Sequence, residues 1–162
     1  MNENTNTLDL ANEFGDFNMD DVADLPEFVS FPTGTHKVSL KIKLDKTKPD
    51  TAAVAAGKVP QRVVIFDWSY IAPVEVAEGV AVPAAGDKDS ARYYIDSEFG
   101  AGMFKAASAG LRAHFGTANV FALYEQCKEG VEVMLTCKSK AKPAKGQYEA
   151  SVETVVVTML VL

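Results

Sequence analysis

Gly130-Val-Glu-Val-Met-Leu-Thr-Cys-Lys-Ser-Lys-Ala-Lys-Pro-Ala-Lys-Gly-Gln-Tyr-Glu-Ala-Ser-Val152 is the stretch from which the fold is read. Val131, Val133, Leu135 and Cys137 alternate with Glu132, Met134, Thr136 and Lys138, so one strand face is apolar and the other mostly polar. Lys138, Lys140, Lys142 and Lys145 follow with no acid until Glu149, around a Pro-Ala-Lys-Gly turn. Tyr148, Ala150 and Val152 then resume the alternation on a return strand. The stretch reads as a β-hairpin with a basic loop and an aromatic at its root. In a chain of net charge -6 it concentrates cations where a polyanion would meet them.

Working outward, the segment His36–Asp45 alternates most cleanly. Val38, Leu40, Ile42 and Leu44 face one way, Lys37, Ser39, Lys41 and Lys43 the other. Lys46–Pro60 reads as a loop, and Arg62–Ile71 as a second strand. Residues 74–90 form a long excursion with room for a small hairpin, and Ala91–Asp96 is a third strand. After Gly100-Ala-Gly102 the period changes. Met103, Phe104, Ala107, Leu111 and Phe115 fall at helical spacing up to Gly116, and a second short helix is expected over Ala118–Lys128. The apolar run from Thr154 to Leu162 reads as a buried final strand. The expectation is a mainly β chain with one or two helices. Five strands with the helical segment between the third and fourth is the element order of the OB-fold, a Greek-key barrel.

Charge divides the chain in two. Residues 1–36 hold eight acids and no Lys or Arg, so all 16 basic residues lie in 37–162, against 14 acids. An acidic, flexible arm over 1–27 and an OB-fold domain over 28–162 are expected. The arm mixes its acids with Leu8, Leu10, Phe14, Phe17, Met19, Val22 and Leu25, the pattern of a partner-docking segment, with a short helix over 19–25 that Pro26 would end. Set apart from the arm, the body is slightly basic.

The hairpin 130–152, and the entry Phe99-Gly-Ala-Gly-Met-Phe104, resemble stretches of OB-fold single-stranded DNA-binding proteins, particularly small ones from bacteriophages. The resemblance spans roughly residues 28–158 and is one of style and element order. It implies sequence-independent single-strand binding in DNA replication or recombination, in the host cytoplasm if the chain is phage-encoded. It also implies partner proteins in those processes; the acidic arm is expected either to dock them or to lie over the basic groove until DNA displaces it. Such proteins often carry their acidic tail at the C-terminus; this chain has its acids at the N-terminus and ends in an apolar strand.

Single-strand binding needs cations along the phosphate track and aromatic faces for unpaired bases. Lys37, Lys41 and Lys43 share a strand face, Lys46 and Lys48 prolong it, and Arg62 is nearby in sequence. With Lys138, Lys140, Lys142 and Lys145 they form two basic patches, expected close together in such a barrel. Phe66, Trp68 and Tyr70 lie at period two on one face. That stripe has two readings, barrel core or stacking surface. Phe66 fits the core, Trp68 is balanced between the two, and Tyr70 fits a partly exposed ring. Tyr94, which shares its face with Arg92, and Tyr148 at the base of the lysine loop complete the stacking candidates.

Other chemistry finds little support. Cys127 and Cys137 lack histidines at zinc-ligand spacing and read as buried, reduced thiols. Gly100-Ala-Gly102 lacks the further glycine and the Gly-Lys-Ser/Thr of a phosphate loop, and no nucleophile elbow or metalloprotease spacing occurs. No catalytic activity, cofactor or metal is expected. Neither a membrane span nor a signal peptide is expected. A homo-oligomer is compatible with the sequence. The alternative reading is a β-barrel protein–protein module, a virion component or a nucleic-acid-mimicking inhibitor, acting through the acidic arm.

Overall fold

A computed structural model describes residues 3–22, 28–147 and 149–162. Among the described residues five strands form one antiparallel sheet: β1 (Gly34–Lys46), β2 (Arg62–Val76), β3 (Lys88–Tyr94), β4 (Val131–Lys142) and β5 (Ser151–Val161). Their order across the sheet is β3-β2-β1-β4-β5. The central strand β1 pairs with β2 along its whole length, but with β4 only over Gly34–Leu40. Register shifts at Thr35/His36 and Lys37/Val38 lie on the β1–β2 pair, and another lies at Thr136/Cys137 on β4–β5. Such irregularities add local twist, which curls a long sheet around its own core. Pro73 is tolerated inside β2 because it falls opposite this irregular stretch of β1.

The helices are α1 (Glu3–Phe14), α2 (Thr51–Ala55), α3 (Glu98–Ala107), α4 (Ala109–Phe115) and α5 (Val120–Cys127). The arm thus carries a helix earlier than expected, and the described part of the anticipated stretch, residues 19–22, holds a 3₁₀ turn at Met19–Asp21. Residues 23–27, including Pro26, lie outside the described residues, as does Tyr148. Between β3 and β4 the expected first helix is split at Ser108. There the Arg112 guanidinium donates to the Lys105 carbonyl at 2.8 Å, taking up an acceptor that a continuous helix would have bonded internally. The 74–90 excursion holds no hairpin of its own; its end instead becomes the start of β3. No helix among the described residues is long and apolar enough to cross a membrane.

One face of the sheet makes the core. Val38, Leu40 and Ile42 meet Val64, Phe66 and Trp68 from β2, Val133, Leu135 and Cys137 from β4, and Phe104, Leu111, Leu123 and Cys127 from the three later helices. Burying a large side chain of this kind contributes about 1.5–3 kcal/mol, so these aliphatic and aromatic side chains together hold the helices to the sheet. Among the described residues no β3–β5 ladder closes the sheet. The gap is spanned instead by the extended residues 28–31. Val29 N–H donates to the Lys88 carbonyl at 2.8 Å, Ser30 Oγ donates to the Val152 carbonyl at 2.6 Å, and Phe31 N–H donates to Thr154 Oγ1 at 2.9 Å. Thr154 Oγ1 in turn donates to the Asp89 carboxylate. Phe31 is thereby drawn wholly into the core.

Candidate nucleic-acid interface

The face of the sheet turned away from the core carries the cations. Because side chains alternate, the residues between the core positions of β1, β2 and β3 share this outer face, and the register sets them in rows. Lys43 lies opposite Ile65, which lies opposite Arg92; Lys41 lies opposite Asp67, which lies opposite Ser90; Ser39, Ser69 and Lys88 form the next row. Tyr94 stands at the end of β3 opposite Val63, with 41% of its surface exposed. An exposed ring beside a field of lysine and arginine is the combination that unpaired bases and their phosphates use.

Electrostatics within this face are partly self-compensated. The Asp67 carboxylate is nearly buried and holds both Lys43 Nζ, at 2.9 Å, and Lys88 Nζ, at 3.3 Å. Lys37 pairs more loosely with Glu132 at 3.4 Å. Lys41 and Arg92 have no carboxylate partner among the described residues. Lys88 escaped sequence reasoning because it lies in a segment without strand character; only its pairing opposite Ser69 makes it part of the face. Asp67 was visible as a polar residue in an apolar strand, but its role as an anchor for two lysines needs the register.

The remaining expected site residues divide sharply. Trp68 is 0% exposed and Tyr70 2%, so neither offers a ring to a base, and their assignment as stacking residues is corrected. Trp68 packs against Phe31 and Phe66 with ring centroids 6.3 and 6.1 Å away. Tyr70 packs edge-on to Phe31, and its hydroxyl bonds His36 Nδ1 at 2.8 Å while His36 Nε2 meets the Pro32 carbonyl at 2.7 Å. A neutral imidazole that donates from Nε2 and accepts at Nδ1 satisfies both contacts, and burial holds the Tyr70 phenol above its ordinary pKa. Arg62 is committed to Asp96, with Nη2 and Nε at 2.6 and 2.8 Å from one oxygen; these hydrogen bonds hold the Asp96 carboxyl below the usual carboxylate value. Arg62 is exposed, but its guanidinium is already occupied.

The two lysine patches do not converge. Gly34 pairs with Cys137, so Lys138, Lys140 and Lys142 run past the first residue of β1, and Lys145 lies in the loop beyond. Lys46 and Lys48 lie at the other end of β1, about 40 Å away along the strand at ~3.3 Å per residue. They sit with the short helix α2, which Asp50 caps by accepting the Ala53 N–H at 2.7 Å. The expected proximity fails because β4 pairs with only the first half of β1, leaving its hairpin overhanging. Lys37, the first lysine of β1, lies opposite Met134, four residues before Lys138 on β4. Of the expected set, the structure brings together Lys37, Lys41, Lys43, Arg92 and Tyr94.

No group of His, Cys, Asp and Glu suited to a metal occurs among the described residues. Cys127 and Cys137 are both buried, and burial pushes each thiol up to about 11, far from a reactive thiolate at neutral pH. No protein-family model, curated protein or solved structure matches the chain.

Proposed function

We propose that the chain is a sequence-tolerant single-stranded DNA-binding protein whose curled sheet is an open OB barrel, with the outer face of β1–β2–β3 as the binding surface. The observation that carries this reading is the grouping of Lys41, Lys43 and Arg92 with the exposed Tyr94 on the face opposite the core. The strand order β3-β2-β1-β4-β5, with helices between β3 and β4, supports the barrel reading. Lysines would track phosphates and Tyr94 would stack a base, with no bond made or broken. Replication or recombination in the cytoplasm is the setting that such an activity fits.

The arm supports a partner role beside this one. Leu10, Phe14, Phe17, Met19 and Val22 are all exposed among acids, as a docking segment requires. If the arm is instead the active element, the chain is a protein–protein module. A fluorescence-polarisation titration with oligo-dT, single- against double-stranded, at two salt concentrations separates the readings. Single-strand binding that weakens steeply with salt is expected. Its absence at low salt would refute the proposal and favour the module.

A further inference from the structure

We infer that the single-strand path does not end at Tyr94 but runs on into the groove between β3 and β5, where Phe99 stacks a further base. This rests on the reading of the outer face given above. Phe99, one residue into α3, is 79% exposed, more than any other large apolar side chain among the described residues. It lines a groove of about 680 Å³ together with Tyr94, Met103, Arg92 and Lys142. Tyr94 and Arg92 belong to both surfaces, so a strand crossing β2 and β3 enters this groove without a break.

The relation between the two rings is built into the chain. Ser97 Oγ accepts the Gly100 N–H at 3.0 Å and donates to the Tyr94 carbonyl at 3.0 Å. Gly100 presses so closely on that carbonyl that a Cβ there would lie 2.0 Å from the oxygen. The first turn of α3 is thus clamped onto the backbone of Tyr94, which holds Phe99 at a set place beside it. A backbone fixed in advance leaves only the side-chain rotamers to be ordered when a base arrives.

Cations flank the rings. Arg92 has no carboxylate partner among the described residues. Lys142 pairs with Glu153 at 2.5 Å, but both side chains are well exposed, and such a pair yields readily to a phosphate. Rings alternating with positive charge suit the base-and-phosphate repeat of a nucleic-acid strand. An apolar peptide would use the rings and leave Arg92 without a counterpart.

The test uses the full chain with oligo-dT of about six and about sixteen nucleotides, lengths toward the two ends of the usual range of site sizes. Phe99→Ala should weaken the longer oligonucleotide by roughly five- to a hundredfold, the usual worth of one stacked base, and leave the shorter one unchanged. Phe99→Trp should restore affinity, and its fluorescence should be quenched by the longer oligonucleotide; Trp68, the one native tryptophan, is fully buried. Unchanged affinity of Phe99→Ala at both lengths, with wild type binding normally, overturns this inference alone. So does an indole at position 99 that ignores the oligonucleotide but responds to a peptide of residues 9–22, which would assign the groove to the arm. Failure of the wild-type chain to bind either length overturns the reading of the outer face as well.

Discussion

Lys43 Nζ lies 2.9 Å from Asp67 Oδ2 across the outer face of β1 and β2, and Lys88 Nζ reaches the same oxygen at 3.3 Å. One nearly buried carboxylate therefore holds two of the cations that a phosphate track would use. Asp67→Asn removes that competing charge while keeping an acceptor oxygen in place. Single-strand affinity at low salt should rise severalfold, with a cost in stability of about 1 kcal/mol. Polarisation titrations check the first and urea unfolding the second. Unchanged or weakened binding would place the phosphates elsewhere.

The salt dependence of binding distinguishes the cations that touch phosphate from those that merely colour the surface. Each phosphate neutralised on a single strand contributes about -0.7 to the slope of log K against log salt. Lys41→Ala and Arg92→Ala should each flatten the slope by about that amount. Arg62→Ala should change it little, because the guanidinium is already bound to Asp96. Equal slopes for all three variants would mean diffuse attraction rather than a track.

How far the site was legible depended on whether a strand has one solvated face. In β1, lysines alternate with apolar residues, so the core face and cationic face were both written in the sequence. In β2, Val63 and Ile65 interleave with Val64 and Phe66, and periodicity alone cannot say which set is inside. The fate of Trp68 and Tyr70 was decided by what packs on them, Phe31 above all, and Phe31 reaches them only because residues 28–31 thread between β3 and β5. Lys88 carried no local signal at all. The overhang of the lysine hairpin was equally hidden, since it follows from where β4 stops pairing with β1.

Two carboxylates should shape the acid limb of stability in opposite directions. Hydrogen bonds from Arg62 hold Asp96 below its ordinary value of 3.8, so its contribution is present above 3.8 and lost as pH falls through the lower, folded value. Burial holds Asp89 above 3.8, against the opposing bonds from Thr154, Ser90 and Phe31. Its contribution is present below 3.8 and lost as pH rises through the higher, folded value. Thermal unfolding across this range should show Asp96→Asn flattening the profile below 3.8 and Asp89→Asn flattening it above. Matching profiles for the two variants would contradict the opposed shifts.

Gly110 and Gly102 both sit in helices between β3 and β4, yet alanine should act on them with opposite sign. A Cβ at Gly110 would lie 1.8 Å from the Met159 carbonyl oxygen, because α4 packs its backbone directly on the edge of β5. To admit it the helix must back away from the strand and uncover Leu111 and Met159, both fully buried. Loss of that packing should cost about 2–3 kcal/mol, more than the ~1 kcal/mol that alanine gains over glycine inside a helix. At Gly102 nothing lies within 4 Å of the added carbon, and only the helix preference remains. Gly102→Ala should therefore stabilise by about 0.5–1 kcal/mol. Urea unfolding of the two variants measures both. Equal shifts would mean that α4 does not seal the edge of β5 as closely as this contact requires.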